Sequence, residues 1–384
     1  MGLYNTDVPA AARVTTAARR VAAEDHPWVL GYFPVARMNP YQALLYGQGS
    51  ARGFAVVACN DLDELRALGC AQAIGCASVA HLHWTAPVLA RAETESEADE
   101  RASAFIDQLS AMKRAGTRVV WTVHNRLPHR CEFPTIETQL RRELVDLADV
   151  VHVMTDRTAD NVADVVVLPP DKTLLVEHPS YLDAYPTFHD PQLVRYETGF
   201  APGEFVAGLL GSIQAYKGID EFAAALARAR EDVANLRGLV AGIPGTDPES
   251  LELIMRLEAD PAVRDIPARL SDQDMARLAS TLDVMVLPYR ATLNSGAALL
   301  ALTFGVPVIG PRLGHFAELS DRGFCLSYDP GDPEGLVAAL RAAPDWAPTV
   351  DRKAISDYVH ERHGPVVSAE FFTGLRRLLG NAAP

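Results

Sequence analysis

Short apolar, β-branched runs alternate with helix-patterned segments along nearly the whole chain, and the alternation occurs twice. In the first half the runs are WVLGYF (28–33), FAVVA (54–58), SVAHLHW (78–84), RVVWTV (118–123), DVVHVM (149–154) and TLLVEH (173–178). Ala-, Leu-, Arg- and Glu-rich stretches such as DERASAFIDQLSAMKRAG separate them. Continuous apolar strands with helices between them mark a parallel sheet, because crossover helices bury both of its faces. An interval rich in Pro, Asp and aromatic residues (179–204) reads as a loop. The pattern then restarts with FVAGLLG (205–211), LRGLVAG (236–242), DVMVLP (283–288) and VPVIG (306–310). The last segment, ISDYVHERHGPVVSAEFFTGLRRLLG, reads as two helices with no strand to follow. The expectation is two doubly wound α/β domains, residues 1–190 and 191–355, with helices in 356–384 packing back on the first.

Composition narrows the function. With 48% hydrophobic and 22% charged residues this is an ordinary globular chain. A formal charge of -14 and the lack of any run of five basic residues argue against a phosphate-backbone binder. No stretch has the apolar core of a signal peptide or the length of a membrane span. Cys59, Cys70, Cys76, Cys131 and Cys325 show no CxxC spacing and read as reduced thiols, so a cytoplasmic location is expected. No GxGxxG leads from a strand into a helix, which disfavours a hydride-transfer enzyme.

In open parallel sheets, ligands bind beyond the carboxyl ends of the strands, and with two such sheets the cleft between them is the expected place. In GLLGSIQAYKGIDEF the strand ends near Leu210 and a helix starts near Gly218. Lys217 sits beside the positive end of that helix, unfavourable by roughly 0.3–1 kcal/mol unless an anion shares the space. Lys217 and the free amides can grip a phosphate together; a solvated surface lysine is the plain alternative. In RATLNSGAALLALTFGVPVIGP (290–311) a helix is expected from about Ser295 to Phe304, stopped by Gly305. Asn294 or Ser295 is a good N-cap, and Gly296 allows close approach to the backbone. Three or four unpaired amides would result, and Arg290 one loop away can bind phosphate oxygens in a bidentate pair. Alone, either loop is an ordinary crossover; together they point to a diphosphate.

HLHW places His83 at one strand end, and WTVHNRLPH places His124 at another, with Asn125 and His129 in the same loop. A neutral imidazole there can accept a proton from a hydroxyl or hydrogen-bond a sugar; the plain alternative is a satisfied structural histidine. His81 is expected to point the opposite way by strand alternation, into the core. The loop PVARMNP holds no acid or histidine, so any base near an acceptor would be His83, His124 or Glu132. DLD (61–63) reads as a helix cap rather than a metal site.

The motifs in their order resemble GT-B glycosyltransferases of the family-4 kind. GSIQAYKGIDEF, LDVMVLPYR, SGAALLALTFGVPVIGP, GHFAEL and YDPGDPEGLVAAL match a donor domain; NPYQALLY, HLHW, WTVHN and PH match the first half. The resemblance implies two Rossmann-like domains facing across a cleft and transfer of a sugar from a nucleotide diphosphate sugar to a hydroxyl or amine. No cofactor and no metal are expected beyond that co-substrate. It implies diphosphate contacts at Gly211, Ser212, Lys217, Arg290, Asn294, Ser295 and Gly296. His124 and His83 would be the catalytic histidines, His124 beside the donor sugar. Trp84, Asn125, Thr292 and Glu318 would be further sugar or acceptor contacts. Two glutamates that many members carry are replaced by Thr292 and Leu300, and the basic residue before the lysine is absent, Ser212 and Gln214 occupying that loop. The match is to the subgroup with a PYR…SG loop. These departures keep open a non-catalytic sugar-nucleotide binder or partner subunit; a sugar-nucleotide epimerase, which would need a catalytic carboxylate pair not evident here, is the lesser alternative. A small-molecule or saccharide acceptor is expected, with a lipid-linked one also open, because no helix is a strong anionic-lipid anchor. The stereochemistry, the base, the sugar and the oligomeric state stay open.

Overall fold

The structure, a computed structural model, describes residues 8–380 apart from 38, 129, 187–188, 215–216 and 291. His129 thus lies outside the described residues. The chain divides into two compact units, Met1–Pro179 with Gly364–Pro384, and Ser180–His363.

In the first unit all six apolar runs become strands: β1 (Trp28–Phe33), β2 (Phe54–Ala58), β3 (Ala77–Leu82), β4 (Arg118–Thr122), β5 (Val150–Val153) and β6 (Thr173–Leu175). They form a parallel sheet in the order β2-β1-β3-β4-β5-β6. On one face Trp28, Leu30, Phe54, Val79, Val120 and Val150 pack with Phe371, Phe372 and Leu375 of the helix Gly364–Leu379. Each such side chain fully buried contributes about 1.5–3 kcal/mol of transfer free energy.

The second unit holds β7 (Phe205–Leu210), β8 (Leu236–Ala241), β9 (Val263–Ile266), β10 (Val284–Val286), β11 (Val308–Pro311) and β12 (Cys325–Tyr328). Their order is β12-β11-β10-β7-β8-β9, again all parallel. Sequence reading missed β9 and β12, which are the two edges. An edge strand has one neighbour and is only partly covered, so VRDI and CLSY carry no continuous apolar run.

Three expectations are corrected. The interval 179–204 contains a helix, Pro191–Thr198, whose N-cap Asp190 accepts from the Gln192 amide at 2.9 Å. The domain boundary lies at Pro179/Ser180 rather than at 190, because Ser180 N–H donates to the Arg362 carbonyl at 2.7 Å and Tyr181 N–H to Thr303 Oγ1 at 3.2 Å. The helix Arg352–Glu361 packs on helix Gly296–Thr303 and belongs to the second unit, so the return point is at residue 364 rather than 356.

The cap expected in DLD forms: Asp61 accepts from the Glu64 amide at 2.8 Å. Strand order reverses between β1 and β3 in the first sheet and between β7 and β10 in the second. Loops diverge at such switch points and leave a crevice at the strand ends, so chemistry is to be sought there.

Candidate functional site

At the switch point of the second sheet, the loops after β7 and β10 are locked together by glycine. Gly218 has φ +70°, and a Cβ there would lie 2.3 Å from the Pro288 carbonyl oxygen. Gly314, φ +47°, opens the helix after β11 and approaches the Thr292 carbonyl as closely, 2.3 Å from its would-be Cβ. No side chain fits at either position. Gly211, Ser212, Lys217, Thr292, Asn294, Ser295 and Gly296 are therefore held at the ends of neighbouring strands.

Lys217 folds over the first loop, with Nζ 3.4 Å from where a Cβ of Gly211 would be. Burial pushes its ammonium down to about 8, and among the described residues no carboxylate pairs with it. A cation taken out of water without an anion loses solvation that only an anion can restore. Ser295 caps the helix Gly296–Thr303 by accepting from the Ala298 amide at 3.1 Å. The expected set of three or four open amides thus shrinks to those of Gly296 and Ala297. Both polar atoms of the Asn294 side chain are buried with no hydrogen-bond partner among the described residues. Such an orphaned amide calls for a ligand or water to complete it.

Arg290 reaches the first turn of the helix Ile219–Ala229. Its Nη2 and Nε donate to Glu221 Oε1 at 2.8 and 3.1 Å, and the pair is 63% and 44% exposed. An ion pair that open to water is worth about 0–1 kcal/mol, so a phosphate could compete for the guanidinium. Glu318 pairs with Arg322 at 3.4 Å. Thr292 Oγ1 donates to the Asn294 carbonyl at 3.0 Å. Leu300 is buried in the helix core.

In the first unit, His83, Trp84, His124 and Asn125 converge with Thr85, Trp121, Pro128 and Arg141 around a small pocket. Trp84 stacks on His124 with centroids 4.2 Å apart and planes 19° apart. His83 is only 1% exposed and both its nitrogens are engaged, Nε2 with the Tyr46 hydroxyl at 2.6 Å and Nδ1 with His124 Nε2 at 2.9 Å. Burial first, then neighbouring imidazoles, holds His83 and His124 well below the usual histidine range, so both are neutral near pH 7. His81 does not point away from His83. Residues two apart on a strand share a face, and His81 Nδ1 meets the same Tyr46 hydroxyl at 2.7 Å. Glu132 is exposed, and no hydrogen bond ties it to these histidines.

Sequence reading missed the buried support of this pocket. Arg141 Nε donates to Glu137 Oε1 at 2.8 Å, Nη2 to Thr85 Oγ1 at 3.2 Å, and Nη1 to the Asn125 carbonyl at 2.6 Å. Thr85 also donates to Glu137. The available signal was the i,i+4 spacing of Glu137 and Arg141 in helix Pro134–Leu147. Among the described residues, no group of three or more His, Cys, Asp or Glu could hold a metal ion.

Residues 204–343 match the family described as Glycosyl transferases group 1. Over 319 residues the chain is 26% identical to a GDP-mannose:glycolipid 4-beta-D-mannosyltransferase of Xanthomonas campestris pv. campestris, covering 81% of this chain and 82% of that protein. Over 250 residues it is 30% identical to a 2-deoxystreptamine N-acetyl-D-glucosaminyltransferase of Streptomyces fradiae, covering 64% and 54%. The solved sucrose-phosphate synthase of Thermosynechococcus elongatus is similar at a TM-score of 0.70 and 15% identity, over 92% of this chain and 99% of that one. That last likeness is one of fold, GT-B.

Proposed function

We propose that this glycosyltransferase of GT-B fold, with its group 1 glycosyl transferase domain at 204–343, moves a hexosyl group from a nucleotide diphosphate sugar to a saccharide-like hydroxyl or amine without a metal ion. The observation that carries the reading is Lys217, a part-buried cation that pairs with no carboxylate among the described residues, in the loop after β7, whose neighbour β10 leads to two open helix-terminal amides and an orphaned Asn294 amide. A diphosphate supplies the missing charge and acceptors. As the glycosidic C1–O bond breaks, its electron pair passes to the diphosphate, and preorganised donors there stabilise the leaving charge. The acceptor oxygen or nitrogen bonds to C1 and gives its proton to His124. His83, with both nitrogens occupied, acts through His124 as a positioning residue. The named relatives act on a glycolipid and on 2-deoxystreptamine; whether a lipid-linked or a free acceptor is used here is for an acceptor screen to decide. The five free thiols suit a reducing, cytoplasmic setting.

Calorimetric titration of UDP, GDP, dTDP and ADP, with magnesium and with EDTA, tests the donor half. One nucleotide should bind equally in both buffers, and Lys217→Ala should weaken it more than about tenfold, a charged donor to phosphate being worth about 1.5–3 kcal/mol. Unchanged affinity in that variant removes Lys217 from the site, and binding only with magnesium overturns the metal-free reading.

The pH dependence follows from the same residue. A bound diphosphate raises the Lys217 ammonium above its free value of about 8, so the affinity it confers is complete below pH 8 and declines as pH rises through it. The decline should approach about tenfold per pH unit until the complex itself deprotonates. Titrations at pH 7, 8 and 9 read this directly; affinity that is flat across them contradicts it.

A further inference from the structure

His81, His83, His124 and His152 of the first unit do not form separate contacts but one continuous chain. His152 Nε2 lies 2.9 Å from the Val176 carbonyl oxygen, and His152 Nδ1 2.9 Å from Thr122 Oγ1. Thr122 Oγ1 lies 2.7 Å from His81 Nε2, and the Tyr46 hydroxyl then joins His81 Nδ1 to His83 Nε2. His83 Nδ1 ends the run on His124 Nε2 at 2.9 Å. Every member but His124 is buried, and the helix Gly364–Leu379 closes the stack with Phe371, whose ring is 5.3 Å from His81 and 5.1 Å from His152.

A carbonyl only accepts, so His152 Nε2 carries a proton and donates to Val176. Burial lowers His152 to about 4 and keeps His81, His83 and His124 well below the usual range, so each ring has a single N–H. His152 Nδ1 is then bare and accepts from the Thr122 hydroxyl. Thr122 has spent its one proton, so it accepts from His81 Nε2–H. By the same logic Tyr46 donates to His81 Nδ1 and accepts from His83 Nε2–H. His83 Nδ1 is left to accept from His124 Nε2–H. Only one direction satisfies every link.

We propose that Tyr46, His81, His83, Thr122 and His152 form a one-way hydrogen-bond chain, anchored on the Val176 carbonyl, that fixes His124 as the Nε2–H tautomer and leaves its Nδ1 as the proton-accepting nitrogen. Among the described residues nothing is hydrogen-bonded to that Nδ1. A base must present a lone pair to its substrate, and a ring free to exchange tautomers would present it only part of the time. The chain removes that loss. The catalytic consequence rests on His124 being the base of the proposed transfer; the tautomer itself does not.

Long-range proton–nitrogen correlation spectra of the full chain labelled with nitrogen-15 histidine separate the two. His124 is identified by the signals lost in His124→Gln. In the unsubstituted protein its protonated nitrogen should be Nε2. Tyr46→Phe and Thr122→Val each cut the chain and should give a mixture of tautomers, whereas Thr122→Ser keeps the hydroxyl and the single form. A near-equal mixture should lower kcat at least about twofold with nucleotide KM unchanged, toward the far larger loss that a wholly wrong tautomer causes. An Nδ1–H signal for His124 in the unsubstituted protein overturns the proposal, even if the variants fail to fold. An unaltered single Nε2–H form in both chain-cutting variants does so too. A correct tautomer with His124→Gln still fully active would instead remove His124 as the base and leave the chain intact.

Discussion

His124→Ala should lower the transfer rate by about 10²–10⁴-fold, the usual contribution of a positioned general base, while nucleotide affinity stays within about twofold. The asymmetry follows from where the residues lie in the fold. His124 follows β4 in the first unit, whereas Lys217, Asn294 and the Gly296 amide belong to the second. Its removal takes away a proton acceptor but none of the groups proposed to hold the diphosphate. It also removes the ring stacked on Trp84, so His124→Asn, which restores a polar side chain but not a base, is the better control. Steady-state kinetics with saturating acceptor, beside calorimetry of the nucleotide, would show the split. A fully active alanine variant would take His124 off the catalytic list; a parallel loss of nucleotide binding would point to a structural fault.

The largest stability effect should come from a residue that touches neither proposed substrate. Arg141 and Glu137 are 4% and 1% exposed and hold each other at 2.8 Å, with Thr85 and the Asn125 carbonyl completing the guanidinium's partners. Arg141→Leu leaves the Glu137 carboxylate buried without its cation, which should cost about 3–5 kcal/mol. Urea unfolding followed by tryptophan fluorescence reads this as a lowered midpoint at unchanged slope. Combining Arg141→Leu with Glu137→Leu should recover most of the loss, because two apolar groups leave no charge to solvate. If the double variant is as unstable as the single one, the damage lies in the Asn125 carbonyl and the loop rather than in the stranded carboxylate. Transfer should fall in both variants, since the guanidinium braces the backbone next to His124.

Much of the proposed donor site was legible because its signals are local. A lysine beside a helix N-terminus, a Ser-Gly helix start and a Gly-x-Pro helix end each constrain a few consecutive residues, and β7, β10 and β11 form where their apolar runs stand. What could not be read there involves partners distant in the chain. Arg290 turned to Glu221, nearly seventy positions away, and no pattern around either residue announces that pairing. The edge strands β9 and β12 were lost because half-covered strands need no apolar run.

The histidines show the same division more sharply. His83 and His124 could be found from the sequence, since each follows an apolar strand. Alternation along that strand also puts His81 beside His83, on one face. Beyond that, nothing in the residues says that Thr122 and His152 stand side by side on β4 and β5, that Tyr46 bridges two imidazoles, or that Phe371 comes back from the far end of the chain to cover them. Fold class, strand positions and the loops proposed to hold phosphate were set by period, propensity and capping, all of which act over a few residues. The burial that keeps the histidines neutral, the carboxylate under Arg141 and the direction of the hydrogen-bond chain came only with tertiary structure. Low dielectric and obligatory polar pairing are properties of an enclosed volume, and no short stretch of chain encloses one.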